Sequence, residues 1–367
     1  MRFLAIIFTL SAAAVNGGMY DSHLGDAVIE ETKSLDQLYQ EAISEGGKLV
    51  WYAGGDTQDQ QDSLKAAFLS AFPKINLTLV IDYSKYHDAR VDNQYETNNV
   101  VPDVVSLQTL QDFPRWQRES KLLKYKPAGF SQIYDGFKDQ SGAWYSYTVF
   151  TFSFVYDTKL LAGEAAPQTP VDILDPKWKG KISSTYPHDD DAVLFLFKLY
   201  VDKFGWSWAA KYSTQDVDFH RGTDYPYNAV AAGDKVIGVG TWGSLVPSNS
   251  SIVYVGSSES PYVAWGQRIA ILNKAKNVAA AKLFVNWLVA TETQELINSS
   301  GWTVRKDMSP PGNLKQAWDI PEANVEGFVQ FMEDRERVEQ WKQTFALYFG
   351  EVQGAPTPGV LGLYPGQ

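Results

Sequence analysis

The residues best placed for chemistry in this chain are oxygen-bearing and aromatic. Asp56 and Thr57 follow the paired glycines that close the apolar run "KLVWYAGG", and Gln108 follows "VPDVVSL". Asp224 and Tyr225 precede the run "KVIGVGT", which ends at Thr241 and is followed by Trp242. Tyr52, Tyr147, Tyr262 and Trp265 lie in or beside other extended segments. Carboxylates beside aromatic faces suit an organic cation, held by cation–π contact and charge-assisted hydrogen bonds. Each aromatic is also a core former, and the chain carries 12 Trp, 20 Tyr and 19 Phe, so a packing role stands beside the ligand role for every one.

Other chemistries find little support. The absence of cysteine removes disulfides, thiol nucleophiles and thiolate metal sites together. His23, His87, His188 and His220 are scattered, with no His-Glu-x-x-His, no Gly-x-Ser-x-Gly elbow and no phosphate-binding glycine loop. No catalytic residue, metal site or cofactor is therefore expected. In "STYPHDDDAV" the aspartates Asp189 to Asp191 open a helix and read as groups that complement its dipole. A metal fragment with His188 is the alternative, weakened because sequence-adjacent acids rarely converge on one ion.

These residues need elements to position them. "KLVWYAGG", "NLTLVIDY" and "VPDVVSL" read as strands, alternating with the helical patterns "DQQDSLKAAFLSAFP", "HDARVDNQYE" and "TLQDFPRWQRESKLL". Alternation of this kind implies βαβ units and a mostly parallel sheet. Ligands of such sheets bind beyond the carboxyl ends of the strands, which points to the loops 54–58 and 106–109. Trp144 to Asp157 alternates polar and apolar residues as extended chain, and Val263 to Leu272 does the same. Between them lie a helix, "DDAVLFLFKLYVDKFG", another around "YPYNAVAAG", and the strand "KVIGVGT"; a helix at "NVAAAKLFVNWLVAT" and a long helical segment from Glu322 to Phe349 complete the chain. This is an α/β pattern of two lobes joined by crossing strands.

Length and charge narrow the partners. The 367 residues can bury a sizeable core, and a formal charge of −11 argues against nucleic acid. "MRFLAIIFTLSAAAVNGG", residues 1–18, has the early Arg, apolar run and small residues of a secretory signal peptide, a buried helix being the alternative. No later run of about 18 apolar residues predicts a membrane span. A soluble secreted protein is expected, periplasmic if bacterial. The sequons at Asn76, Asn249 and Asn298 permit glycosylation in a eukaryotic host.

"FSFVYDTKLLAGEAAPQTPVDILDPKWKGKI" resembles the hinge-to-second-lobe segment of type II periplasmic solute-binding proteins, in the branch that contains ferric-ion, thiamine and polyamine binders. "LVWYAGG", "VPDVVSL", "AVAAGDKVIGVGT" and "NVAAAKLFVNWLVATETQELI" are similar to further pieces of that family, in its order. The resemblance implies a two-lobed periplasmic-binding-protein-like II fold with crossing hinge strands. Its divisions would be a first lobe over 19–142, a hinge crossing at 143–156, a second lobe over 157–261, a second crossing at 262–272, and a return to the first lobe with C-terminal helices over 273–367. By residue type "DPKWKGKI" reads as structural: Trp178 is expected as an apolar anchor, Gly180 as a tight turn, and Ile182 as the start of a buried strand. Ferric binders of the branch often place adjacent tyrosines where this chain has Thr241 and Trp242, so iron would need atypical ligands. The expected ligand is a small organic cation, thiamine- or polyamine-like. Ferric ion, a secreted enzyme or a protein-interaction module on the same fold are the alternatives. Asp56, Thr57, Gln108, Tyr147, Tyr225, Thr241, Trp242 and Trp265 are the expected contacts. The partner would be a membrane transporter or a cell-surface protein, and the chain is expected to be a monomer.

Overall fold

The computed structural model describes residues 28–367, so the expected signal peptide lies outside the described residues. The chain enters through α1 (Leu35–Glu45), whose start is fixed by reciprocal hydrogen bonds between Ser34 and Gln37. Strands and helices then alternate: β1 (Lys48–Gly54), α2 (Asp62–Ala71), β2 (Asn76–Asp82), α3 (Ser84–Glu96), β3 (Val104–Leu107) and α4 (Asp112–Arg118). Pro114 sits in the first turn of α4, where its missing N–H leaves no helical bond unmade. β4 (Tyr145–Asp157) leads into β5 (Ile182–Thr185), α5 (Asp191–Phe204), α6 (Trp206–Tyr212), β6 (Asp218–His220), α7 (Asp224–Ala231), β7 (Ile237–Trp242), β8 (Ile252–Val255) and β9 (Val263–Ile271). The chain ends through α8 (Val278–Val289), α9 (Thr291–Leu296), α10 (Gly327–Glu333) and α11 (Arg335–Phe349).

All the strands join one sheet in the order β2-β1-β3-β9-β4-β7-β5-β6, with β8 also on β4. β1 runs parallel to β2 and β3, and β5 runs parallel to β6 and β7, as βα units require. The centre departs from the mostly parallel expectation. β4 carries the chain out of the first set and β9 brings it back, so β4 runs antiparallel to both β9 and β7, and β9 antiparallel to β3. Register shifts in β4 at Ser146/Thr148 and at Ser153/Phe154 interrupt its alternation of faces.

The core divides along the same lines. One cluster packs Trp51, Phe68, Phe284 and Trp287 between α1, α2, α8 and the first strands, and a smaller one around Tyr52, Phe113 and Trp116 covers the opposite face. A separate cluster packs Phe197, Tyr200, Trp208 and Trp178 around α5 and α6. Trp178 is buried in it, and Gly180 turns the chain at φ +75° just before β5, which accounts for "DPKWKGKI". The expected helical run from Glu322 is broken in two, because Asp334 stops α10 and caps α11 by accepting from the Arg337 N–H at 3.1 Å. Both helices pack on α5 and α6 through contacts such as Phe195–Phe331 and Trp206–Trp341, so they go with the second half of the chain. No helix among the described residues is long and apolar enough to cross a membrane. Asn76 and Asn249 are exposed and Asn298 is half-buried.

Candidate functional site

A cavity of about 780 Å³ opens between the two halves, within the size range of small-molecule sites. Phe150 and Phe152 of β4 and Trp265 and Gln267 of β9 line it from the crossing strands. The first half contributes the loops after its strands: Gly54 to Thr57, Tyr83 to Lys85, and Gln108 with Thr109. Gly54 has a local reason to lack a side chain, since a Cβ there would collide with the Ser84 hydroxyl. That hydroxyl accepts from the Gln108 N–H at 2.9 Å, which ties two of the lining loops together. The second half contributes Asp189 to Asp191 at the start of α5, Gly222 to Asp224 at the start of α7, and Trp242 with Gly243 at the end of β7. Strand ends and helix starts therefore meet at the cavity, as expected for α/β sheets.

Charge in the cavity is one-sided. Asp56, Asp59, Asp189, Asp190, Asp191 and Asp224 line it, with Lys85 the one basic residue among the lining residues. Asp189 is neutralised by Lys85 at 2.5 Å, with Arg221 at 3.8 Å, and Asp191 by Lys342 at 2.9 Å. Among the described residues, no Lys or Arg lies within ion-pair distance of Asp56, Asp190 or Asp224. Burial, and then repulsion from Asp56, push Asp190 up to about 7, although the Val193 N–H that it caps opposes the shift. Asp224 is pushed up to about 6 by the same two causes in the same order. Asp56 is raised by burial against two hydrogen bonds from Thr223, from N–H at 2.6 Å and from Oγ1 at 2.5 Å. Like charges held together in a half-dry cleft favour a proton or a bound cation.

Aromatic faces stand beside these carboxylates. Trp242 is 37% exposed at the rim and stacks on Tyr227 with ring centroids 4.1 Å apart. Tyr83 lines the opposite wall, with the Lys85 ammonium 5.4 Å above its ring. Trp265 is fully buried, edge-on to Phe152 at 4.8 Å, and its indole N–H donates to Gln267 Oε1 at 3.0 Å.

The residues singled out from the sequence divide cleanly. Asp56, Thr57, Gln108, Trp242 and Trp265 line the cavity. Tyr147, Tyr225 and Thr241 do not. Tyr147 is buried in the first core cluster, at the register shift of β4 between Ser146 and Thr148. Tyr225 faces outward and stacks on His220 at 3.5 Å. Thr241 is fully buried and braces Thr223 from behind, its Oγ1 donating to the Thr223 carbonyl at 2.6 Å. Tyr52 and Tyr262 are likewise buried outside the cavity. Sequence reasoning did not select Tyr83, Lys85 and Asp190. The "DDDAV" start of α5 held the signal for Asp190, because a cap at the start of a helix facing the cleft also faces the ligand space. Among the described residues, no group of three His, Cys, Asp or Glu side chains is arranged to hold a metal ion.

Residues 98–319, more than half of the chain, match the family described as bacterial extracellular solute-binding protein. A search of curated proteins finds no match. Among solved structures, the substrate-binding protein of an ABC transporter from Agrobacterium tumefaciens is similar with a TM-score of 0.67 at 15% identity, covering 81% of this chain and 94% of that one. AfuA from Actinobacillus pleuropneumoniae, with fructose 6-phosphate bound, is similar with a TM-score of 0.64 at 18% identity over 83% and 99% of the two chains. Iron-bound HitA from Pseudomonas aeruginosa gives 0.62 at 16% identity over 81% and 99%. At these identities the neighbours establish a two-lobed periplasmic-binding fold and leave the ligand open. On the family match, this chain belongs to the bacterial extracellular solute-binding proteins.

Proposed function

We propose that the cleft captures a small organic cation, thiamine- or polyamine-like, and releases it unchanged. The observation that carries this reading is the trio Asp56, Asp190 and Asp224, which lines the cavity without a basic partner. A cation there relieves their mutual repulsion and replaces the water lost on burial with charge-assisted hydrogen bonds. Trp242, at the rim, offers an aromatic surface to the same charge. A phosphate or carboxylate ligand would meet the reverse field. The mechanism is binding coupled to closure, with the two halves turning about β4 and β9, which cross between them. A ligand touching Tyr83 and Gln108 on one side and Asp190, Asp224 and Trp242 on the other favours the closed form. Transfer from the closed form to a membrane transporter, by a monomeric binding protein, is the corresponding physiological role.

The test is the melting temperature of dialysed protein against spermidine, putrescine, thiamine, Fe(III)-citrate and fructose 6-phosphate. At 100 times its Kd a ligand adds about 2.7 kcal/mol of stability, or roughly 5 °C or more by the usual size scaling. A shift with a cation alone supports the reading. A shift with the sugar phosphate or with Fe(III) alone overturns it.

A further inference from the structure

Residues 351–367 leave the end of α11, which is packed on the second half, and come to rest on the first half. Much of their grip there is made through main-chain carbonyls. Arg90 donates from Nε to the Gly362 carbonyl at 2.8 Å and from Nη2 to the Val360 carbonyl at 2.7 Å. Gln94 donates to the Leu363 carbonyl at 2.7 Å, and the Tyr52 hydroxyl to the Pro365 carbonyl at 2.6 Å. With the segment in place these donors are shielded from water. Arg90 is 4% exposed, Gln94 and Tyr52 are fully buried, and the remaining Arg90 nitrogen pairs with the fully buried Asp82 at 2.7 Å. The segment shields these donors from water and supplies their acceptors, so the Arg90 guanidinium stays paired on every side.

At the cleft the same segment touches both halves within two residues. Arg221 of the second half donates to the Pro356 carbonyl at 3.0 Å, and the next residue, Thr357, donates to Asp82 of the first half. We propose that residues 351–367 form a strap that restrains the cleft from opening, so that the empty protein stays near its closed form and ligand enters through a limited gap. The inference rests on the reading that the halves move about β4 and β9. It adds to that reading a covalent limit on their travel, beside the non-covalent contacts Asp56–Thr223 and Lys85–Asp189 that also span the cleft.

The chain lacks cysteine, so spin labels can be placed cleanly at Ser70→Cys on α2 and Lys211→Cys on α6, both exposed and one on each half. A protease recognition sequence inserted between the exposed Gln353 and Gly354 lets the chain fold intact and be cut afterwards. The cut breaks the tether whether or not the released peptide leaves. The expected result, by pulsed dipolar spectroscopy without ligand, is one narrow distance distribution before cutting and a longer, broader one after, with circular dichroism unchanged. A second doubly labelled protein, carrying Asp56→Ala and an uncut strap, separates the two ideas. If Asp56→Ala lengthens the distance and cutting does not, the strap proposal is overturned and hinge motion stands. If neither changes it, the strap and the moving-halves reading fall together.

Discussion

Asp190→Asn should act on ligand binding and on the stability of the empty fold with opposite signs. Asp190 caps α5 by accepting from the Val193 N–H at 2.9 Å, and asparagine caps about as well, so the helix start is kept. Only the charge is lost. The carboxyl is raised from 3.8 to about 7 in the fold, which sets an upper limit of about 4 kcal/mol on the cost of ionising it there. Asp190 is half-buried, so solvent screening reduces that to about 1–2 kcal/mol. The sign follows from where the proton sits. Between the unfolded and folded values the fold holds a proton that the unfolded chain releases, so this advantage is full below 3.8 and is lost as pH rises through about 7. At pH 8 the variant escapes the penalty and should melt roughly 2–4 °C higher than the parent without ligand. Its affinity for the bound cation should fall by about 1–3 kcal/mol, or about 5- to 150-fold, for loss of one charge-assisted contact. Scanning calorimetry reads the first effect and titration calorimetry the second. A lower melting temperature together with unchanged affinity would refute the reasoning, since Asp190 would then be a cap and nothing more.

Other substitutions probe the rest of the account. Trp242→Ala should weaken cation binding by about 1–3 kcal/mol and move the melting temperature little, because the ring is 37% exposed; unchanged affinity in a fluorescence titration would take Trp242 out of the site. Arg90→Met leaves Asp82 buried without its partner at 2.7 Å and should cost about 3–5 kcal/mol in urea unfolding, whereas a loss under 1 kcal/mol would mean that water replaces the guanidinium. Trp178→Ala empties an anchor that is 1% exposed and should cost about 3–5 kcal/mol by the same assay, with cation affinity preserved in the folded fraction. Cation affinity should fall as pH drops from 8 to 5, since Asp190 and Asp224 take up protons near 7 and 6; a flat profile over that range would contradict the assignment.

The succession of elements was legible because apolar periodicity changes sharply between strand and helix, as between "KLVWYAGG" and "DQQDSLKAAFLSAFP". The antiparallel centre was harder to read, since a crossing strand such as β4 is buried on both faces and carries no mark of direction. Among the cavity-lining residues, Asp56, Thr57 and Gln108 could be read from the sequence because they lie within three residues of strand ends. Tyr147 could not, because the register shift at Ser146/Thr148 decides which face of β4 it occupies. Tyr225 and Asp224 are neighbours at the start of α7, yet one stacks outward on His220 and the other lines the cavity; a helix turns about 100° per residue, and one sequence does not fix its rotation. The strap was invisible for a different reason. It is held largely by its own carbonyls, which every residue has, so its Pro- and Gly-rich sequence reads as loose chain.

Calorimetric titration of dialysed protein with spermidine or thiamine at pH 6.5, repeated in buffers of different ionisation enthalpy, tests the central claim most directly. At that pH Asp190 and Asp224 are partly protonated in the empty cleft, with values of about 7 and 6. A cation that seats among them should bind one to one and release a measurable fraction of a proton to the buffer. Binding with proton uptake, or heat from an anion and none from either cation, would contradict the account.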